Sequence, residues 1–182
     1  MNPRLIRHRP SRGATLIEVL VAFLIVSLAF LGSARLLASA THQQKTTQLR
    51  LIALSLANQH VARARLNLFG VDRNAYQLNE GSVEPPMAAI NPDEATAANA
   101  ADNVAAADTR ELLLNARALL PGGDARVQTT STLNGGRDMQ IWLFWTEAAS
   151  DTSAELQGAT DSQCPTGAVA AGRRCLFLKA GL

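Results

Sequence analysis

The chain has 182 residues, enough for one domain or for one domain with a tail. Apolar residues make up 47% of it, which excludes disorder throughout because a core can be built from them. The formal net charge of +2 is uneven, since four arginines stand in the first 12 residues and the remainder carries more acidic than basic residues. A general nucleic-acid binder, which needs a basic surface, is therefore disfavoured.

An apolar segment runs from Ala14 to Ala34, and Glu18 is the one charged residue in it. As a helix, this segment would span about 31 Å, the thickness of the hydrocarbon core of a bilayer. Because the arginines precede it, the positive-inside rule predicts that residues 1–12 lie in the cytoplasm and the rest on the far side of the membrane.

Three interpretations of this segment compete: an uncleaved anchor, a secretory signal cut at a small-x-small site such as 38–40, and a leader cut at Gly13. The apolar part of a secretory signal is usually shorter, at about 7–15 residues. A carboxylate such as Glu18 costs on the order of 3 kcal/mol at mid-membrane, so it needs a partner there.

The string from Arg12 to Leu20 reads RGATLIEVL and resembles the class III leader junction of type IV pilins. The resemblance implies that a prepilin peptidase cuts after Gly13, that Ala14 becomes N-methylated, and that Glu18 is the fifth mature residue. Glu18 would then pair with the charged terminus of a neighbouring subunit in the membrane or filament core, where each charge alone is costly. The alternative is that Glu18 lies near the cytoplasmic headgroups of an ordinary anchor.

The helical pattern continues through residues 35–68, which contain neither proline nor glycine. Apolar residues recur there at steps of three and four, which predicts one buried helix face. They are Leu49, Ile52, Ala53, Leu56, Ala57, Val61, Ala64 and Leu68. We therefore predict one helix over 14–68, apolar all round in its first half and packed on a domain in its second, with Gly70 as its stop.

Residues 71–107 are rich in Asn, Ala and Asp and contain three prolines, which predicts a long, partly irregular connection. The run DTRELLLNARALL then predicts a short amphipathic helix with Asp108 as N-cap and Glu111 three residues on. The Pro-Gly-Gly step at 121–123 ends it.

Three strands are predicted after this helix, at 126–133, 138–147 and 174–180, with a hairpin turn at 134–136. They would form a small antiparallel meander packed on the second half of the long helix, because a hairpin alone is only marginally stable. The predicted fold class is therefore α+β and pilin-like. The predicted parts are a cytoplasmic leader (1–13), a transmembrane half-helix (14–34), a periplasmic half-helix (35–70) and a globular head (71–182).

Downstream pieces are similar to the PilV-like minor pilins, also called type IV pilus modification proteins. These pieces are ALSLANQHVARARLN, LLNARALLPGGDARV and the strand that ends in Phe144-Trp145. Where Val61-Ala62-Arg63 stands here, that family usually has an acidic residue, so this part of the pattern differs.

The resemblance implies a structural protein that helps to initiate pilus assembly in a tip complex, and not an enzyme. Its implied partners are the prepilin peptidase, other minor pilins, the major pilin and the inner-membrane assembly platform. Its implied location is the bacterial inner membrane, with a periplasmic head, and then the pilus. Pseudopilins of type II secretion share the leader and architecture, and they remain the alternative.

Cys164 and Cys175 are expected to form a disulfide in the oxidising periplasm, the alternative being two buried free thiols. Two cysteines without further ligands do not predict a metal site, and no cofactor motif is present. His42 and His60 are expected to face solvent or a neighbouring protein. Trp142 and Phe144 lie on the second face of their strand, which predicts either a subunit contact or a second core under the connection.

Overall fold

The computed structural model describes residues 15–83, 97–131, 136–147, 163–165 and 173–182. In these ranges the elements are α1 (Leu16–Leu66), α2 (Leu68–Asp72), α3 (Ala97–Leu119), β1 (Asp124–Ser131), β2 (Arg137–Thr146) and β3 (Arg173–Gly181). The chain divides into two compact units, Met1–Thr41 and His42–Leu182. A long N-terminal helix followed by a small antiparallel sheet confirms the predicted α+β, pilin-like fold class.

The buried face of α1 in the second unit is the predicted one. Its fully buried apolar residues are Ala53, Leu56, Ala57, Val61 and Ala64. The prediction that Gly70 stops this helix is wrong, because the helix ends at Leu66 and Gly70 lies inside α2. Asn67 breaks the helix instead: its backbone is not helical, and its side chain accepts a hydrogen bond from the Gly70 amide at 3.2 Å.

The α3 helix begins eleven residues earlier than predicted, at Ala97, so residues 97–107 are helical rather than irregular. Asp108 therefore lies in the middle of the helix and is not its N-cap. Seven of these eleven residues are alanine, which has the highest helix propensity, and Ala101 and Ala105 are buried by packing. This packing outweighs the asparagine and aspartate that indicated a loop.

The three strands form an antiparallel sheet in the order β1-β2-β3. Their bounds agree with the predicted strands to within two residues, while most of the predicted turn at 134–136 lies outside the described residues. One sheet face packs with α1 and α3 into the main core. The buried strand residues of this core are Ala125, Val127, Met139, Ile141, Leu143, Trp145 and Leu176.

Two glycines make the sharp turn between α3 and β1. Gly122 has a φ of +59°, a left-handed conformation that disfavours side chains. A Cβ on Gly123 would lie 1.9 Å from the carbonyl oxygen of Ala116, inside the backbone of α3. The Gly-Gly step of the sequence motif is therefore a steric requirement of this turn.

The outer edge of β1 is covered by the segment that follows α2. Val127 exchanges two backbone hydrogen bonds with Leu78, at 2.9 and 3.0 Å. Gln77 donates from Nε2 to the Thr129 carbonyl at 2.9 Å, and the carboxylate of Asp124 accepts from the Gly81 amide at 2.8 Å. Leu78 and Gln77 thus pair three backbone groups of this strand edge, the amide and carbonyl of Val127 and the carbonyl of Thr129.

Candidate functional site

The first part of α1 is apolar on every side, and no other described part of the chain packs against it. Leu16, Phe30 and Leu36 are each more than 70% exposed. By length and composition, α1 is the helix in the described part of the chain that could cross a membrane. A helix that is apolar all round belongs in a protein core or in a lipid phase, and the described residues supply no core around it.

The few hydroxyl side chains in this segment hydrogen-bond to the helix itself. Ser27 donates to the Phe23 carbonyl at 2.7 Å, and Ser33 donates to the Phe30 carbonyl at 2.9 Å. Burying an unpaired hydroxyl in hydrocarbon is costly, so this pairing makes both residues compatible with an apolar environment.

Glu18 lies in the first turn of α1 and is exposed. A negative charge is favourable at the N-terminal end of a helix, where unpaired amide groups give a positive partial charge. The predicted cleavage and methylation residues, Gly13 and Ala14, lie outside the described residues. The role predicted for Glu18 in subunit pairing stays a prediction.

In the head, a polar cluster that the sequence did not predict joins α1, α3 and the segment after α2. Arg63 donates to Glu111 through both terminal nitrogens, at 2.5 and 2.6 Å, and to Asp108 at 3.3 Å. Tyr76 donates to the other oxygen of Asp108 at 2.8 Å and accepts from Asn67 at 3.2 Å. Burial raises the pKa of Tyr76, which keeps the hydroxyl protonated as the donor.

His60 lies beside this cluster, with its ring edge-on to Tyr76 at a centroid distance of 5.5 Å. The prediction that it faces solvent or a neighbouring protein is wrong, because it is only 2% exposed. Burial, and then the nearby charge of Arg63, lower its pKa from 6.5 to about 4. His60 is four residues from both Leu56 and Ala64, which lie on the buried face of the helix. This spacing could have predicted from the sequence that His60 is buried.

The second face of β2 carries a smaller core, built around a disulfide between Cys164 and Cys175. Trp142 and Phe144 pack there, and the indole Nε1 of Trp142 donates to the Gln163 carbonyl at 3.0 Å. Of the two interpretations of this face, the structure therefore shows the second core.

Three basic side chains of β3 face carboxylates of the head. Arg173 pairs with Glu80, Arg174 pairs with Glu147 at 3.1 Å, and Lys179 pairs with Asp138 at 2.9 Å. Within the described ranges, no group of three or more His, Cys, Asp or Glu side chains is arranged to hold a metal ion.

In a comparison with known families, the profile of the prokaryotic N-terminal methylation motif matches residues 8–34. These residues include the predicted cleavage junction, Glu18 and the apolar segment. Curated protein sequences and solved structures give no match.

This motif supports a type IV pilin-like protein, made as a precursor that a prepilin peptidase processes. The motif and the exposed apolar helix are together consistent with a single-pass membrane anchor. Type IV pilins and pseudopilins both fit these findings.

Proposed function

We propose that the chain is a minor pilin of the type IV pilus, similar to the PilV-like proteins, that helps to initiate pilus assembly in a tip complex. The observation that carries this proposal is the methylation motif over residues 8–34, continued by an apolar helix that has no protein cover. Such a surface requires lipid before assembly and other apolar helices after it.

Maturation begins when the prepilin peptidase cuts after Gly13, and the new amine at Ala14 is methylated. The positive terminus pairs with Glu18 of a neighbouring subunit when helices pack side by side. Two opposite charges attract strongly in an apolar phase, and each is costly there without the other. The head catalyses nothing in this scheme, and its role is to contact other minor pilins and the major pilin.

The first test is the mass of the N-terminal peptide of the mature protein, isolated from bacterial membranes. A peptide that begins with methylated Ala14 supports processing as a pilin-like precursor. An N-terminus at Thr41, or an intact Met1, overturns it in favour of a secreted or plainly anchored domain.

The second test separates the pilus from type II secretion, whose pseudopilins are the alternative. Deletion of the gene should reduce the number of surface pili and leave secretion unchanged, and the protein should be recovered with sheared pili. Loss of secretion with normal piliation would instead identify a pseudopilin.

A further inference from the structure

The disulfide of the second core joins two cysteines whose surroundings differ. Cys175 is the third residue of β3 and is 0% exposed. Cys164 is 9% exposed and lies outside the helices and strands, between an exposed Gln163 and a half-buried Pro165. A molecule that approaches this disulfide from solvent therefore reaches Cys164 first.

The two segments are also held differently once the disulfide is open. Cys175 is paired in register with Phe144 of β2, and this pairing does not depend on the disulfide. Apart from packing in the second core, the described contacts of the Cys164 segment are the disulfide itself and the hydrogen bond from Trp142 to the Gln163 carbonyl at 3.0 Å. In the reduced head, Cys175 thus stays buried in the sheet, whereas little holds Cys164 in place.

Disulfide formation by thiol–disulfide exchange takes two steps that make different demands on access. In the first step, a thiolate of the chain meets a separate oxidant molecule, so its sulfur must be reachable from solvent. In the second step, the other thiolate attacks within the chain and need not be exposed. The Cα atoms of Cys164 and Cys175 are 6.2 Å apart, inside the usual range for a disulfide, so the second step requires no movement of the strands.

We propose that Cys164 is the exchange site of the folded head, where it forms a mixed disulfide with a dithiol oxidant that Cys175 then displaces. In the first step, the Cys164 thiolate bonds to one sulfur of the oxidant's disulfide, and the oxidant's other sulfur leaves as a thiolate. In the second step, the Cys175 thiolate bonds to the Sγ atom of Cys164, and the remaining sulfur of the oxidant leaves as a thiolate. The chain loses two electrons and two protons, which the oxidant takes up as it becomes a dithiol.

The same order holds in the reverse direction. By microscopic reversibility, a reducing dithiol attacks the Sγ atom of Cys164, and Cys175 is the thiolate that leaves. The inference goes beyond the proposed function, because it requires the folded head and an exchange partner but neither a membrane nor a pilus. Its failure would leave the proposed function standing.

The test uses the full chain in a nonionic detergent, with oxidised glutathione as the probe. Two variants keep one thiol each: Cys175→Ser keeps Cys164, and Cys164→Ser keeps Cys175. Mass spectrometry follows the formation of the mixed disulfide with glutathione under native conditions. Cys164 should react at least about tenfold faster than Cys175, because Cys175 reacts only when β3 opens.

Concentrated urea is the control, since both thiols should react at similar rates once the head is unfolded. Equal rates in the folded variants, or a faster reaction of Cys175, would overturn the exchange site. A difference of the same size in urea would also overturn it, because the cause would then be the local sequence and not the fold.

Wild-type protein gives a second measurement that does not depend on the folding of either variant. The protein is reduced with dithiothreitol, freed of the reductant without air and given a short pulse of iodoacetamide, and the peptides are then weighed. Alkylation should be about tenfold greater on Cys164 than on Cys175. Equal labelling contradicts the proposal, and so does a reduced head that tryptophan fluorescence shows to be unfolded, because Cys175 would then be as accessible as Cys164.

Discussion

Acid should destabilise the head through His60. The unfolded chain takes up a proton on this imidazole near pH 6.5, whereas the folded head takes it up only near pH 4. Between these values the unfolded state binds more protons, so the free energy of unfolding falls as the pH falls. Each pH unit in this window is worth about 1.4 kcal/mol, and lowering the pH from 7.5 to 5 should remove about 2 kcal/mol of stability.

The measurement is urea unfolding of the full chain in a nonionic detergent, at both pH values. Both tryptophans of the chain, Trp142 and Trp145, lie on β2, so their fluorescence reports on the head alone. Asp72 and Asp102 have lowered pKa values because arginines donate hydrogen bonds to them, and their stabilisation is lost only below their usual range near 3.8. They therefore add little between pH 7.5 and pH 5.

His60→Leu should remove most of this pH dependence. Its stability at pH 7.5 should be close to that of the wild type, because neither ring nitrogen of His60 has a hydrogen-bond partner among the described residues. His42→Gln, on the same helix, is the control and should keep the wild-type slope. An unchanged slope in His60→Leu, or a wild-type loss below about 0.5 kcal/mol, would refute the reasoning.

Three further predictions follow from other parts of the chain. Gly123→Ala should lower the free energy of unfolding by about 3 kcal/mol, because the added Cβ would clash with the Ala116 carbonyl. Gly32→Ala is the control and should leave urea unfolding unchanged, because there is open space around Gly32. Cys164→Ser should lower the free energy of unfolding by roughly 3 kcal/mol, and dithiothreitol should have the same effect on wild-type protein but none on the variant. Glu18→Gln should be cleaved normally, as judged by peptide mass, but be depleted from sheared pili; normal incorporation would contradict charge pairing.

The parts of the fold that follow a simple period could be predicted from the sequence. The steps of three and four along α1 give its buried face, and the alternation along β2 gives both faces of the sheet. The first half of α3 could not be predicted in the same way. Its alanines and asparagines show no apolar periodicity that would predict a buried helix face. The helix there is favoured by the packing of Ala101 and Ala105 against the rest of the head.

The candidate sites also differ in whether a local sequence pattern could predict them. A linear motif is enough to indicate the junction at Gly13 and the position of Glu18, because a prepilin peptidase recognises residues that are close together in the sequence. The cluster of Arg63, Tyr76 and Asp108 joins residues as far as 45 positions apart in the sequence, so no local sequence pattern predicts it.

The covered part of the β1 edge has a consequence for the proposed minor pilin, which would function among many copies of related chains. An open strand edge offers unpaired amide and carbonyl groups, on which a second polypeptide can build a mismatched sheet and start aggregation. Leu78 and Gln77 occupy part of that edge within the same chain. In the proposed assembly, neighbouring heads would therefore be hindered from pairing with each other through this part of the β1 backbone.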